Sequence, residues 1–282
     1  MNNIKICFSI ATNNIRKWSA NPRIYVLLIL MVMFAWHYVS PYVSAAKALG
    51  YRVTPWIFPH MINFSTLQRY IMLGLILLFC DAPFMDNTQP YVIIRSKKTT
   101  WAIGQIIYIA LATAIYLITL VCLCIIVLLP VMYFSDGWGK ILTTFANSNA
   151  GSQFRIEYVS YRIVSSYSPI QAMILSLILE WVVGILLGLV MFATNMYFKR
   201  GVGAIVAITI VMFDTFIDFG SVYVSKFSPV SFPRLGIIDS SGISNKPSPA
   251  YICAFFIISI AVLIFMSIHS IKRKSLEVQK MI

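Results

Sequence analysis

Five ionisable side chains lie inside long apolar segments of the sequence, where a charge is costly unless it is paired or hydrated. These side chains are His37, Arg69, Glu180, Asp214 and Asp218. A charge at the centre of a membrane helix costs about 3 kcal/mol or more, so such residues usually mark a substrate path, a proton relay or an ion pair. Asp214 and Asp218 are four residues apart and share one helix face. The depths of these residues in their segments predict a polar cluster in which Arg69 pairs with one of the two aspartates.

Three kinds of chemistry are compatible with this cluster. It could hold spans together, line a hydrated translocation path, or cleave peptides within the membrane. Proteolysis is disfavoured because neither aspartate lies in the Tyr-Asp or Gly-x-Gly-Asp setting that intramembrane aspartyl proteases use. The five cysteines show no metal-ligand spacing and are expected to act as small hydrophobic residues. We therefore predict neither a catalytic residue nor a metal site.

The composition indicates an integral membrane protein. Of the 282 residues, 59% are hydrophobic and 11% are charged, and the mean hydropathy is +0.82. A soluble domain with this balance would expose too much apolar surface. The net charge of +13 is then expected to face the cytoplasm and anionic lipid rather than nucleic acid.

The apolar segments predict an all-α polytopic membrane protein with six transmembrane helices. Residues 1–23 form an amphipathic helix at the cytoplasmic face, residues 24–270 the transmembrane domain, and residues 271–282 a basic cytoplasmic tail. The predicted spans are residues 24–42, 64–84, 102–130, 169–197, 201–223 and 249–270. Pro41 is expected to end the first span early.

The distribution of basic residues predicts the orientation. The four segments expected inside the cell hold 13 of the 22 Lys and Arg residues, although they are shorter in total than the three outer loops. By the positive-inside rule, both termini are cytoplasmic. In the last outer loop, residues 227–233 are rich in proline and cannot continue a helix, so a half-buried re-entrant turn is plausible there.

The segment between the second and third spans combines basic and apolar residues. Arg95 marks it as cytoplasmic, whereas Tyr91, Ile93 and Ile94 are apolar, which a plain connecting loop does not require. These apolar side chains either dock onto a cytoplasmic protein or dip into the lipid headgroup layer. The sequence of the segment leaves both alternatives open.

Three stretches of the chain resemble the membrane subunit of a bacterial ATP-binding-cassette exporter of the six-span permease type. They are Ile15-Arg16-Lys17 leading into Asn21-Pro22-Arg23, Pro90-Tyr91-Val92-Ile93-Ile94-Arg95-Ser96 followed by Trp101-x-x-Gly104, and Phe227-Ser228-Pro229-Val230-Ser231. The resemblance implies a dimer of permeases in the plasma membrane, with a cytosolic ATPase docked on each. It also implies a coupling helix within residues 83–94, and ATPase contacts from Phe84, Tyr91, Ile93, Ile94 and Arg95. Such exporters move peptides, antibiotics, lipids or polysaccharides outward.

The chain contains no phosphate-binding loop of its own. The nearest approach, Gly137-Trp138-Gly139-Lys140, lacks the preceding glycine and has Ile141 where Ser or Thr belongs. ATP and Mg²⁺ would then bind the partner ATPase, and this chain would not be an enzyme. The alternatives are an ion-coupled secondary transporter and a non-transporting membrane partner. The first is disfavoured because the sequence shows neither paired halves nor broken helices.

Overall fold

The computed structural model describes residues 3–84, 89–156, 158–199, 201–218, 222–239 and 246–273. All secondary-structure elements in these ranges are helices. The only β-type pairing among them is an isolated bridge between Val53 and Met132. The helices are α1 (Asn3–Arg16), α2 (Pro22–Leu49), α3 (Phe58–Asn63), α4 (Ser65–Phe79), α5 (Gln89–Ser96), α6 (Lys98–Leu128), α7 (Gly139–Asn147), α8 (Tyr161–Ser166), α9 (Pro169–Tyr197), α10 (Val202–Phe213), α11 (Thr215–Asp218) and α12 (Pro249–Arg273). The all-α prediction is confirmed.

Four helices are long and apolar enough to cross a membrane. They are α2, α6 with its extension to Val131, α9, and the Pro249–Ile271 part of α12. Each has more than the roughly 20 residues that cover about 30 Å of hydrocarbon. The protein is therefore membrane-embedded.

The second and fifth predicted spans are shorter than expected. In place of residues 64–84, α4 has 15 residues, or about 22 Å, and in place of residues 201–223, α10 has 12 residues. Turns over residues 80–84 follow the end of α4, and a turn at Asp214 ends α10. A hydropathy pattern does not detect such turns, because their residues are themselves apolar or lie among apolar neighbours.

The first long helix continues beyond Pro41, against expectation. Asn21 accepts a hydrogen bond from the Arg23 amide at its start, and α2 ends at Leu49 before Gly50, which has φ +70°. Tyr42, Ala45 and Ala46 are buried after the proline. Packing of this last stretch against the bundle offsets the hydrogen bond that proline cannot donate.

The glycines of α9 bring three helices close together. A side chain at Gly188 would meet Ile109 of α6 at 2.5 Å and Phe79 of α4 at 3.3 Å, and Gly184 faces the same two helices. The small-residue pair that the sequence contains therefore packs helices within one chain. This close contact places Glu180, one turn earlier, in the centre of the bundle.

Helix α1 lies against the beginning of α6. Its residues Cys7, Ile10 and Ala11 are buried, and a side chain at Gly104 would meet Ile10 at 2.9 Å. Trp18 donates a hydrogen bond to the Tyr108 hydroxyl at 2.9 Å. Part of the apolar face predicted for residues 1–23 is thus covered by protein, whereas Ile4 and Phe8 of that face are exposed. Of the predicted tail, residues 271–273 belong to α12, and residues 274–282 lie outside the described ranges.

Candidate functional site

The centre of the candidate site is a carboxylate between two guanidinium groups. Asp214 is fully buried, and Arg234 donates a hydrogen bond from Nη2 to its Oδ2 atom. The Nη1 atom of Arg69 lies 3.7 Å from the same oxygen, and the Ser228 hydroxyl donates to Oδ1 at 3.2 Å. A buried carboxylate needs such partners, because an unpaired charge is strongly destabilising there.

Arg69 joins the two aspartates of the sequence prediction. Its Nη1 atom lies 2.7 Å from Oδ2 of Asp218, closer than it lies to Asp214. Asp218 also accepts a hydrogen bond from the Ser65 hydroxyl at 3.0 Å, and its side chain is 38% exposed. The predicted pairing of Arg69 is confirmed, with both aspartates rather than one.

Gln68 connects this ion cluster to Glu180 on α9. Arg234 donates from Nε to the Gln68 amide oxygen at 2.6 Å. The Gln68 amide nitrogen in turn donates to the Val230 carbonyl and to Oε2 of Glu180, the latter at 3.4 Å. The other carboxyl oxygen of Glu180 is buried and has no hydrogen-bond partner among the described residues. We name the five charged residues and Gln68 the polar cluster: Gln68, Arg69, Glu180, Asp214, Asp218 and Arg234.

His37 does not belong to the polar cluster. The buried positions of α2 include Ala35, Val39 and Tyr42, which follow one helix face. His37 falls on the opposite, exposed face, with its ring edge-on to that of Tyr38 at 4.7 Å. The sequence predicted similar depths for His37 and Asp214 in their apolar segments. The two residues do not meet, because His37 lies on the face of α2 opposite to the buried one.

Gln68 and Arg234 are the two members of the polar cluster that the sequence analysis missed, and Arg234 is the charged one. The segment before it folds into the bundle: Val230 and Phe232 are fully buried, and so is nearly all of Leu235. The predicted half-buried turn at residues 227–233 was the available signal, because a re-entrant turn carries the following side chains inward. A second signal was the charge balance, because the sequence analysis offered only one arginine as the partner of two aspartates.

The helix changes its form at Asp214. The backbone there has φ −62° and ψ −23°, and its amide bonds to Val211 and Met212 rather than to the residue four positions earlier. Such tightening within a helical segment often marks a hinge or a functional site. At this point of the chain the Asp214 side chain accepts the hydrogen bond of Arg234.

At the other end of the bundle, α5 presents two exposed apolar side chains. Tyr91 is 72% exposed and Ile94 is 79% exposed, and Arg95 is exposed beside them. Ile93 is buried, and Phe84 packs its ring against Phe79 and Tyr108. Ile93 and Phe84 are therefore not on the predicted docking surface, because on a helix residue 93 faces away from residues 91 and 94.

Buried polar side chains fasten α5 to its neighbours. Trp101 of α6 donates to the Gln89 amide oxygen at 2.5 Å, and Gln89 donates to Asn14 of α1 at 3.4 Å. Asn14 donates to the Gln105 amide oxygen at 2.8 Å. This chain of hydrogen bonds holds α1, α5 and α6 as one unit.

Comparisons with models of protein families, with curated proteins and with solved structures find no match to this chain. The resemblance to exporter permeases therefore stays a prediction. Among the described residues, no three His, Cys, Asp or Glu side chains are placed to hold a metal ion. What the protein does has to be inferred from the polar cluster and from α5.

Proposed function

We propose that the protein is the permease subunit of a bacterial ATP-binding-cassette exporter in the plasma membrane. In this proposal it works as a dimer, and a separate cytosolic ATPase that binds ATP and Mg²⁺ drives it. The observation that carries the proposal is the exposure of Tyr91 and Ile94 on a helix that is fastened to α1 and α6. The substrate class would be a peptide, an antibiotic or a lipid-like molecule.

The hydrogen bonds that hold α5 against α1 and α6 support a role of α5 in transmitting a partner's movement to the bundle. A partner that pushes on Tyr91 or Ile94 would move Gln89 and, through it, Trp101 at the start of α6. Because α6 has 31 residues and spans the bundle, its displacement would reach the opposite end. Exposed apolar side chains beside a basic residue are also suited to insert into a groove on a partner protein.

The polar cluster is proposed to respond to that movement. Arg69 contacts Asp218 and lies near Asp214, so a small shift of α4 against residues 214–218 would change the balance between the two pairs. Two discrete pairings are the kind of bistable element that converts small displacements into alternative conformations. The helix tightening at Asp214 would act as the hinge.

The orientation can be tested with two exposed positions at opposite ends of the bundle. In a cysteine-free background, we expect Arg95→Cys to be shielded from a membrane-impermeant thiol reagent in intact cells and labelled after permeabilisation. Asn149→Cys should be labelled in intact cells, because the loop that carries it is expected outside. Labelling of Arg95→Cys from outside would overturn both the orientation and the docking proposal.

Whether a separate ATPase binds and drives the protein can be tested by purification in mild detergent. We expect an ATPase with a phosphate-binding loop to co-purify with the protein, and its hydrolysis rate to change when the two are reconstituted together. Mass spectrometry identifies the partner, and a variant of the partner lacking its phosphate-loop lysine serves as the control for hydrolysis. Isolation of the permease without any ATPase under conditions that preserve its native complexes would contradict the proposal.

Two observations favour the alternative of an ion-coupled carrier. Glu180 is fully buried with one unpartnered oxygen, and the tightened turn at Asp214 is a local break of the type that carriers use. In that case, vesicles containing only this protein should dissipate an imposed pH gradient, and Glu180→Gln should abolish the flux. The exporter proposal predicts no such flux without the ATPase.

A further inference from the structure

Residues 158–167, which we name the α8 segment, lie at the end of the bundle where α4 begins. Ser160 and Arg162 of this segment line a pocket of about 370 Å³. Asp218 and Arg234 of the polar cluster line the same pocket. The α8 segment therefore forms one side of a pocket that reaches the polar cluster.

Several hydrogen bonds that do not depend on pH hold the α8 segment in place. The hydroxyl of Tyr158 donates to a backbone carbonyl of α2. Arg162 donates to the Ile238 carbonyl at 3.1 Å, and Trp138 donates to the Tyr167 carbonyl at 3.0 Å. Arginine, tyrosine, tryptophan and backbone groups keep their charge at neutral and mildly acidic pH.

His60 of α3 makes a further hydrogen bond to the α8 segment, and this one depends on its charge. The amide of Ser160 donates to Nδ1 of His60 at 3.2 Å. The Nδ1 atom is therefore unprotonated, and the proton of the neutral imidazole lies on Nε2. The imidazole is fully buried, and its ring centroid lies 4.8 Å from that of Trp138. Protonation would place an N–H group against the Ser160 amide and would bury a charge.

The charges around His60 do not offset that cost. Helix α3 packs against α4 and α9, whose charged side chains are Arg69 and Glu180. The segments that contact its ring and its Nδ1 atom lead into α7 and α8, which carry Lys140 and Arg162. The tyrosines of these helices are neutral at the pH values concerned. Burial is the one cause that lowers the pKa of His60, from 6.5 to about 3.

We propose that the hydrogen bond between Ser160 and His60 is an acid-sensitive contact, which holds the α8 segment beside the polar cluster and releases it when the surrounding medium is acidified. In the released form the imidazole reaches solvent and takes up a proton. Release moves Ser160 and Arg162 away from the pocket and widens the access to Asp218 and Arg234. The sequence predicts this end of the bundle outside the cell, so the contact would respond to external pH. The proposal does not depend on what drives the protein.

The direction and the size of the pH effect follow from the two forms of His60. Above about pH 6.5 the imidazole is neutral in both forms, so pH does not change their balance. Below this value only the released form binds a proton, until the closed form does so as well at about pH 3. Release therefore becomes more favourable by nearly tenfold per pH unit in this window, and by about 25-fold between pH 7 and pH 5.

The experiment measures hydrogen–deuterium exchange of the purified full-length chain in a neutral detergent at pH 7 and pH 5. Rates are corrected for the chemical exchange rate at each pH, under conditions where closing is faster than exchange. We expect the protection of amides in the α8 segment to fall about 25-fold at pH 5 in the wild type. The protection of α2 and α9 should change much less, because the release is local.

Two variants of His60 and one matched control test the assignment. His60→Asn keeps an acceptor oxygen near the position of Nδ1 but cannot be protonated, so its α8 segment should stay protected at both pH values. His60→Phe removes the acceptor as well, so protection should be about tenfold lower at pH 7 and should not fall further at pH 5. His37→Asn, which removes the exposed histidine of α2, should respond to pH as the wild type does.

Three results would overturn the proposal. The first is a wild-type α8 segment whose protection is the same at both pH values. The second is a fall in the His60 variants as large as in the wild type. The third is an equal loss of protection in α2 and α9, which would indicate general unfolding by acid. The protection of α9 at pH 7 reports whether each variant folds, and His60→Phe serves as the test if His60→Asn does not.

Discussion

Replacing Arg234 with methionine is expected to lower the free energy of unfolding by about 3 kcal/mol, because it leaves a buried carboxylate without its main partner. Asp214 is fully buried, and the remaining cation, Arg69, lies 3.7 Å away and is already engaged with Asp218. The loss also removes the partner of the Gln68 amide oxygen. The measurement is the unfolding midpoint of the purified protein in detergent, together with its abundance in the membrane.

Two comparisons distinguish this explanation from a general effect of removing a charge. Arg52→Met removes an exposed arginine and should change stability by no more than about 0.5 kcal/mol. Arg69→Leu should cost less than Arg234→Met, because Asp214 retains Arg234 and Asp218 is partly exposed to solvent. If Arg234→Met is as stable as Arg52→Met, the buried carboxylate of Asp214 does not need Arg234 as its partner.

A second substitution in the same background tests the coupling directly. Asp214→Asn removes the charge that Arg234→Met leaves unpaired, so the double variant should recover much of the stability. If the polar cluster is only structural, the recovered variant should retain any stimulation of the partner ATPase. If the cluster switches during transport, stability should return while stimulation stays impaired.

The cluster itself shows what the sequence could and could not predict. The pairing of Arg69 was predictable because its depth in α4 matches that of Asp218, and a buried charge requires a partner. Depth does not give the rotation of a helix, however, so His37 was placed with the cluster although it lies on the exposed face of α2. Arg234 was missed because a positive charge in a proline-rich loop is normally counted as outside the membrane.

Helix α5 and the short helices α4 and α10 likewise show features that the sequence could not predict. The apolar character of residues 91–94 was visible in the sequence, but which of these side chains is covered depends on α1 and α6, which lie elsewhere in the chain. Ile93 is buried for that reason, while Tyr91 and Ile94 stay exposed. Likewise, the spans at residues 64–84 and 201–223 were predicted from hydropathy, which reports burial in hydrocarbon rather than the point at which a helix turns.

The exposed pair on α5 gives the prediction with the largest effect on function. In the variant Tyr91→Asp with Ile94→Asp, we expect normal abundance in the membrane and loss of the co-purifying ATPase. Both side chains are more than two-thirds exposed, so charges there should be tolerated by the permease itself. A hot-spot residue in an interface contributes about 2 kcal/mol or more, so two such losses would weaken the complex by roughly a thousandfold. The measurement is quantification of the ATPase in the purified complex.

Two further variants show whether the effect is specific to the docking surface. Ile4→Asp places the same charge on an exposed apolar position of α1, at the same end of the bundle, and should leave the complex intact. Ile93→Asp buries the charge within the permease, so it should reduce abundance rather than partner binding alone. If the Tyr91 and Ile94 double variant retains the ATPase but detaches from anionic vesicles more readily, α5 lies in the headgroup layer instead. The exporter proposal would then lose the observation that carries it.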